Sequence, residues 1–447
     1  MFLILGFRLD NQCWQVGDLQ ETVLDESPVF TTPSHEKCPV DYLRHYFNDE
    51  ILELIVHETN LYSTQEKAKP INVTKDEILA FFGILIYMGV CQYPALVDYW
   101  TQSTRISQVA NVMSRRRFQD IHSTIHFHNN EEEGTDRLLK IRPLLNHMRK
   151  KCLEIEQEHE LSVDERMQKY KGTRAGNLRQ YMPDKPSSKW GFKLFVLAGA
   201  SGMTYDFIPY CGTNTFEEEH LSEEVSGMGL GASAVISLCK NIREPSKTTV
   251  TFDNFYTSIH LIAYLRDQLQ LNSLGTVKRG RTLDCPLTDA KAFLNQGRGS
   301  IESFTDKDNV VVLQWADKAV CLASSYVGVE PVSTIKRYSK DHHAKIDVPC
   351  PKAVLQYNKS MGGVDLGDMF MALYSVPTKA KRWYFSLFGY TLELALTNSW
   401  LAYKRDCVLL GSQQTLKSSK EFRLQVSEAL KAQHLRDKGR PSLDKSL

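Results

Sequence analysis

Closely spaced cysteines are missing from this sequence of 447 residues. Its ten cysteines are scattered between positions 13 and 407, and no two have the Cys-x-x-Cys spacing of common zinc sites. Cysteines dispersed through a long chain are typical of reduced thiols in the cytosol or nucleus. The sequence therefore predicts neither a disulfide framework nor a zinc site.

Long apolar runs are also scarce. The apolar start, Met1–Phe7, ends at Arg8 and is too short for a signal peptide. A second largely apolar segment, Tyr384–Tyr403, contains Glu393 and Asn398, so it favours a buried helix over a membrane span. We expect no association with a membrane.

An excess of charge of either sign is missing as well. The formal net charge is +1, because 54 basic residues nearly balance 53 acidic ones. This balance excludes a protein that binds nucleic acid through its overall charge, although a local basic segment can still neutralise phosphates. The hydrophobic fraction of 42% allows a sizeable core, and the length suits two or three domains.

The sequence does contain clear changes of pattern along the chain. Helical periodicity dominates from about residue 39 to 156, and strand-like segments with interspersed helices follow to residue 278. A β-rich stretch then covers 279–349, and helices return from about residue 351. Strands with interspersed helices predict a mixed α/β layer. We therefore expect an α/β fold with an all-α part on both sides of it.

Four stretches give the most specific predictions of local structure. Lys75–Val90 is apolar almost all round and predicts a core helix. Leu161–Asp164 predicts a short strand that ends at the aspartate, and Thr248–Asp253 predicts another. Residues 310–315 and 319–326 predict the two strands of a β-hairpin, with a turn between them.

Three aspartates stand near the ends of predicted elements. Asp164 and Asp253 close predicted strands, and Asp365 precedes a helical pattern. Phosphodiester cleavage needs an activated nucleophile and relief of charge on the phosphate, which two divalent ions about 4 Å apart can supply. Mg²⁺ prefers oxygen ligands such as carboxylates. The three positions therefore fit a metal-dependent centre, provided that the fold brings them together.

Each of these aspartates alone also fits a structural role. An aspartate after a strand often starts a turn by bonding its own backbone. Asp365 fits equally a negative charge at a helix N-terminus. Asp317 is a rival third acid, but it lies in the predicted hairpin turn, where aspartate is common for the same reason. Spacing and chemistry leave these alternatives open.

Basic residues concentrate between Asp164 and Lys193, where there are eight against three acidic ones. This run fits either a DNA-facing surface or a solvated face, and two further basic clusters fit phosphate contacts or solvated helix ends. The candidate DNA-binding residues are Arg115, Arg116, Arg117, Lys171, Arg174, Arg179, Lys185, Lys189, Lys193, Lys379, Lys381 and Arg382.

Three blocks of residues, taken together and in order, resemble the signature blocks of the piggyBac transposase family. The first comprises Ser162–Glu165, Tyr170–Gly172, Arg179–Pro186 and Trp190–Lys193. The second comprises Phe252–Ser258 and Gly275–Val277. The third comprises Tyr357–Asn358, Gly362–Asp365, Asp368 and Lys381–Trp383. Weaker matches lie upstream at Arg117–Phe118 and Lys140–Leu144, so the resemblance spans about residues 39 to 403.

The resemblance implies an RNase H-like catalytic domain with a β-rich insertion and an all-α domain for dimerisation and DNA binding. We accordingly expect an N-terminal lead-in and a disordered tail, the catalytic domain in two parts, the helical domain in two parts, and one insertion between them. In chain order, the expected ranges are lead-in 1–34, helical 35–160, catalytic 161–278, insertion 279–349, catalytic 350–374, helical 375–436 and tail 437–447.

The resemblance also implies chemistry and partners. The catalytic and metal-binding residues would be Asp164, Asp253 and Asp365, with Asp368 as a further metal-binding acid. The metal would be Mg²⁺, or Mn²⁺ in its place. The partners would be double-stranded DNA, namely transposon ends and a TTAA target, and a second copy of the chain. The implied reaction is cut-and-paste transposition in the nucleus through hairpin-ended intermediates.

The sequence departs from the family pattern at two places. Family members typically end in a cysteine-rich zinc module, whereas the last cysteine here is Cys407, so no zinc is expected. The long acidic N-terminal region common in relatives is also missing. Two functions therefore remain open: a metal-dependent DNA transposase, and a domesticated DNA-binding protein without transposition activity.

Overall fold

The structure is a computed structural model that describes residues 13–19, 28–183, 189–340, 342–412 and 416–439. In chain order, its α-helices are α1 (Pro39–Tyr46), α2 (Asp49–Lys67), α3 (Lys75–Val90), α4 (Ser107–Ala110), α5 (Arg115–Thr124), α6 (Arg142–Leu153), α7 (Glu223–Gly227), α8 (Leu230–Cys239), α9 (Ile259–Leu269), α10 (Ala290–Leu294), α11 (Lys352–Ser360), α12 (Gly363–Leu373), α13 (Tyr384–Leu409) and α14 (Ser419–Gly439). Its strands are β1 (Gln15–Val16), β2 (Glu160–Lys169), β3 (Arg179–Tyr181), β4 (Trp190–Gly199), β5 (Thr204–Pro209), β6 (Thr249–Phe252), β7 (Asn272–Thr276), β8 (Ile301–Thr305), β9 (Val311–Trp315), β10 (Val320–Ser324), β11 (Ser333–Ser339) and β12 (Ala344–Cys350).

A single mixed sheet organises the α/β part of the chain. Its strand order is β1-β8-β9-β10-β7-β6-β2-β4-β3, and β5 also pairs with β4. Strand β6 is parallel to both β2 and β7, whereas the other neighbours are antiparallel. Parallel strands require long crossover connections, and here α9 joins β6 to β7. The three parallel strands therefore form the centre of the sheet, which helices cover.

The predicted strand around Asp164 exists, but its predicted end is wrong. Strand β2 continues through the aspartate to Lys169. It does so because β4 pairs with this second half of β2, from Asp164 opposite Val196 to Lys169 opposite Gly191. The parallel pairing of β2 with β6, by contrast, stops at Val163. Asp164 is thus inside a strand, yet it lies just beyond the end of a parallel ladder.

The predicted hairpin is confirmed and belongs to the main sheet. Strands β9 and β10 pair in antiparallel register from Val311 opposite Ser324 to Trp315 opposite Val320. Strand β10 also pairs with β7, so β8, β9 and β10 extend the sheet beyond its parallel centre. Only β11 and β12, among the strands of 279–349, form a separate two-stranded ribbon within the described residues.

The core helix predicted over Lys75–Val90 is confirmed as α3. The Thr74 hydroxyl accepts the Glu77 backbone N–H at 3.2 Å, and the Glu77 carboxylate accepts the Thr74 N–H at 3.2 Å, which caps the helix start. Helix α14, far along the chain, packs against α3. A side chain at Gly83 would lie 2.9 Å from the Ser427 carbonyl, so this close contact requires glycine.

Helix α13 is buried along most of its length, as the sequence predicts for residues 384–403. The two polar residues that interrupt the predicted apolar run have partners: Glu393 pairs with Arg423 of α14 at 2.8 Å, and the Asn398 amide donates to the Thr204 carbonyl at 2.7 Å. The buried charge of Glu393 is therefore compensated inside the protein. No helix among the described residues is long and apolar enough to cross a membrane.

Buried charges also join the helical part to the sheet. Arg149 of α6 donates to Asp206 of β5 at 2.7 and 2.9 Å and to Glu219 at 2.8 Å. The Asp206 side chain has no exposed surface, and burial raises its pKa while the Arg149 guanidinium opposes that rise. Since an unpaired charge is costly in such a place, Arg149 ties α6 to the edge of the sheet.

Replacing this cation should destabilise the fold. We expect Arg149→Met to lower the free energy of unfolding by about 3–5 kcal/mol, because the Asp206 carboxylate would stay buried without its partner. Urea unfolding followed by circular dichroism measures the change. The control Lys336→Met removes a cation that is 71% exposed and pairs with an exposed aspartate, so it should cost at most about 1 kcal/mol. Equal losses in the two variants would contradict this interpretation.

Candidate catalytic site

The centre of the sheet brings two of the predicted acids side by side. The parallel ladder of β2 and β6 ends with Val163 opposite Phe252, and the next residue on each strand is Asp164 and Asp253. Neighbouring strands lie about 4.8 Å apart, so the backbones of the two aspartates are adjacent. Both side chains are partly exposed.

The turn after β6 fixes the backbone of Asp253. Its carboxylate accepts the Phe255 N–H at 2.8 Å, and its carbonyl accepts the Thr257 hydroxyl at 2.7 Å. A side chain at Gly275 of β7 would collide with this threonine hydroxyl and lie 2.9 Å from the Phe252 carbonyl. The glycine in the second motif block is therefore explained by the close approach of the turn to β7.

A third carboxylate, which the sequence analysis did not select, lies in the same region. Glu165 of β2 accepts the Tyr256 hydroxyl at 3.2 Å. Burial raises the pKa of Tyr256 well above its usual range, and the charges of Glu165, Asp164 and Asp253 raise it further. Tyr256 thus lies near all three carboxylates. The only sequence signal for Glu165 was its position next to Asp164 in the first block.

The electrostatics show an excess of negative charge at this place. Burial raises the pKa of Asp253, the nearby Glu165 raises it further, and Lys278 is among the groups that oppose the rise. Burial also raises the pKa of Tyr357 on α11, with added contributions from Asp253 and Asp164. The charges of Asp164 and Asp253 therefore raise the pKa values of two tyrosines that come from different elements.

Helix α12 carries Asp365 in its first turn, where the side chain is exposed. Two glycines let this helix lie close to the sheet. A side chain at Gly363 would collide with the Gly199 carbonyl and lie 2.8 Å from the Ser162 hydroxyl, and one at Gly367 would lie 2.7 Å from the Gly202 carbonyl. Gly363, which belongs to the third motif block, therefore places the start of α12 against Ser162, two residues before Asp164 on β2.

Asp368, the fourth expected metal-binding acid, has a cationic partner in the structure. Its carboxylate accepts Arg166 Nη1 at 2.6 Å. Arg166 is nearly buried, and its guanidinium also lies over the Tyr390 ring at 5.0 Å. This ion pair joins α12 to β2.

The donor set fits a divalent cation in part. Partly exposed carboxylates on adjacent strands are ligands of the kind that Mg²⁺ prefers, and Mg²⁺ needs only one or two of them besides water and phosphate oxygens. Among the described residues, however, no three His, Cys, Asp or Glu side chains are grouped closely enough to hold a metal ion. The structure thus places Asp164 and Asp253 on adjacent strands with Glu165 nearby, but it does not group these carboxylates into a set of three ligands, and Asp365 lies on a separate helix.

The rival acid Asp317 has a structural environment. It pairs with Arg298 at 2.6 Å and with Arg337 at 3.0 Å, and its side chain is only 12% exposed. These contacts join the β9–β10 turn to the β11–β12 ribbon. They account for Asp317 without a catalytic role.

The candidate DNA-binding residues divide by exposure. Arg117 donates to Glu77 at 2.6 and 2.7 Å, and Arg382 donates to the carbonyls of His122 and Ile125, so both are held within the protein. Three others are partly engaged or outside the described residues: Arg179 stacks on Trp190, Lys193 lies over Phe255, and Lys185 is not described. The exposed candidates are Arg115, Arg116, Lys171, Arg174, Lys189, Lys379 and Lys381.

Comparison with known proteins gives consistent matches over most of the chain. The model of a family described as Transposase IS4 matches residues 38–400. The human piggyBac transposable element-derived protein 3 is 31% identical over 405 residues, which cover 88% of this chain and 66% of that protein. The human piggyBac transposable element-derived protein 2 is 31% identical over 384 residues, covering 84% and 63%. The chain therefore spans slightly less than two thirds of these relatives.

A solved structure agrees with the fold. The chain is similar to a protein in a cryo-EM structure of a piggyBac transposase synaptic complex with hairpin DNA, with a TM-score of 0.76 and 23% identity. The match covers 94% of this chain and 86% of that one. It confirms the expected α/β fold with an RNase H-like domain.

The close packing of the Asp253 turn leads to a stability prediction. Gly275→Ala should lower the free energy of unfolding by about 1–3 kcal/mol, because the added methyl group overpacks against Thr257 and Phe252. Gly280→Ala is the matched control, since a side chain there meets no atom within 4 Å. Chemical unfolding of both variants provides the measurement. If Gly275→Ala proves as stable as Gly280→Ala, the turn does not pack as described.

Proposed function

Because this chain belongs to the piggyBac transposase family, we propose that it is a metal-dependent enzyme that cleaves and rejoins DNA strands. Its catalytic centre would comprise Asp164, Asp253 and Asp365. The reaction would be cut-and-paste transposition of the kind that the family resemblance implies, with TTAA as the target.

One observation carries this proposal. Asp164 and Asp253 immediately follow the last paired residues of two parallel strands, and both act on the pKa values of Tyr256 and Tyr357. Strands are rigid elements, so they hold two carboxylates at a nearly fixed separation. Such a pair is what a centre for phosphodiester cleavage requires from the protein.

The residues present indicate how the centre would work. Asp164 and Asp253 would offer oxygen ligands to Mg²⁺ or Mn²⁺, and Asp365 would add a third carboxylate from α12. A bound cation would relieve the excess negative charge around Asp253, activate a water molecule and neutralise charge on the phosphate. The Tyr256 hydroxyl, which donates to Glu165, would hold that carboxylate in place beside the pair.

We further propose that the DNA partner lies against the exposed basic residues. Arg115 and Arg116 lie in the first turn of α5, and Lys171 and Arg174 follow β2. These side chains are exposed and therefore available for phosphate contacts. Double-stranded DNA, a second copy of the chain and a nuclear location complete the proposal.

A second function is favoured by a specific observation. Asp365 does not group with Asp164 and Asp253 into a set of metal ligands within the described part of the chain. Relatives at 31% identity are named as proteins derived from a transposable element. A DNA-binding protein that has kept the fold and lost strand cleavage would share these features.

Strand cleavage separates the two functions. We expect the chain, with Mg²⁺, to cut DNA that carries the genomic sequence flanking its own gene. Asp253→Ala should lower the cleavage rate at least about a hundredfold, because loss of even an outer-shell partner of a metal costs tenfold to a hundredfold. Denaturing gel electrophoresis of end-labelled DNA gives the rate.

The control variant is Asp347→Ala, which removes an exposed aspartate from the β11–β12 ribbon and should cleave at the wild-type rate. Cleavage by wild type and control alone would support the enzyme. Absence of cleavage in all three proteins, with DNA binding retained, would favour the DNA-binding protein.

DNA affinity should depend strongly on salt. If six to ten phosphates are contacted, raising the salt from 50 to 200 mM should weaken binding by about 10³–10⁵. Replacing Arg115, Arg116, Lys171 and Arg174 by alanine should flatten the slope of log affinity against log salt by about 0.9 for each lost contact. Fluorescence anisotropy measures both slopes. Lys336→Ala with Lys345→Ala is the control, and an equal change in that variant would argue against the proposed surface.

A further inference from the structure

Arg166 occupies an unusual place on the central strand. Side chains alternate along a strand, so Ser162, Asp164 and Arg166 point to the same face of β2. Only 9% of Arg166 is exposed, although it carries a charge. A nearly buried cation needs a specific partner, and this one lies two residues from a proposed metal ligand.

The partners of Arg166 come from two helices. Its Nη1 lies 2.6 Å from an Asp368 oxygen and 2.7 Å from the Met371 sulfur, both on α12. Its guanidinium also lies 5.0 Å from the centre of the Tyr390 ring on α13. The arginine therefore fixes α12 and α13 against β2 through one side chain.

These contacts surround Asp365 along the helix. Gly363 sets the contact of α12 with Ser162 on β2, and Asp368 sets the contact with Arg166 on the same strand. Asp365 lies between the two, about 3 Å along the axis from Gly363 and about 4.5 Å from Asp368. Any slide or rotation of α12 that moved Asp365 relative to Asp164 would have to break the Arg166–Asp368 pair.

The pair also limits what Asp368 can bind. If its carboxylate turned to a metal ion, Arg166 would lose its anionic partner in a nearly buried position, which is costly. Asp365 is exposed and escapes this restriction. The geometry points to Asp368 as a positioning residue and not as a ligand of the metal. By pairing with Arg166, it fixes α12, and with it Asp365, relative to β2. This inference rests on the proposed metal centre.

The consequence is that Arg166 and Asp368 act as one unit. Arg166→Met and Asp368→Asn should each weaken metal binding by the same factor, between about 10 and 100, as outer-shell partners do. The double variant should lose no more than either single variant, because the unit is already broken. Because the pair acts by positioning Asp365, Asp365→Asn alone should weaken metal binding at least as much as either single variant.

The test uses the full chain and Mn²⁺ binding, followed by electron paramagnetic resonance. The wild type, the two single variants, the double variant and Asp365→Asn are titrated, and their melting temperatures are recorded. The double variant leaves neither charge of the pair, so it remains informative if a single variant folds poorly. Arg142→Met is the matched control. It breaks a 2.7 Å ion pair with Asp136, and it should lower the melting temperature without changing Mn²⁺ affinity.

The outcomes are distinct. Equal and non-additive losses in Arg166→Met and Asp368→Asn support the positioning role. A loss in Asp368→Asn with unchanged or tighter binding in Arg166→Met would identify Asp368 as a metal ligand and overturn the inference alone. Absence of Mn²⁺ binding by the wild type would instead overturn the proposed metal centre, and the positioning role with it.

Discussion

Residues 160–163 pair in parallel with residues 249–252, and this ladder determines where the chain can place a carboxylate at the centre of the sheet. Parallel strands in register bring their carboxyl-terminal neighbours to the same edge, so the backbones of Asp164 and Asp253 become adjacent. The surrounding features support this arrangement. Strand β7 completes the parallel set, Gly275 admits the turn after β6, and α12 covers the face that Ser162 and Arg166 share.

The site also depends on parts of the chain that are far apart in sequence. Asp164, Asp253 and Asp365 come from β2, the turn after β6 and α12, and α12 packs against both the sheet and α13. The buried ion pairs likewise join elements that are far apart in sequence. Arg166 connects β2 to α12, and Arg149 connects α6 to β5, each across a boundary between layers. Buried ion pairs of this kind add little net stability, but they oppose other arrangements of the same elements.

Much of the local structure could be predicted from the sequence. The almost continuous apolar character of Lys75–Val90 predicted α3 with its bounds. The β9–β10 hairpin followed from two β-rich runs around a turn, and α13 followed from an apolar run interrupted by Glu393. The end of β2 was predicted wrongly, because its outer half is extended by backbone pairing with β4, which the local sequence does not indicate. The roles of single charged residues were harder still. Arg117 and Arg382 look like free cations in sequence, yet their acceptors, including Glu77 and the His122 carbonyl, come from distant elements.

The contact between α14 and α3 has a consequence for how the protein is made. Helix α3 is apolar on nearly every side, and residues 419–439, near the end of the described chain, cover a part of its surface. The ribosome synthesises α3 long before it synthesises α14, at a rate of about 5–20 residues per second. An apolar surface of α3 therefore stays exposed until α14 has been synthesised. A messenger that ends before the codon for Ser419 would yield a product in which this surface remains exposed to chaperones and proteases.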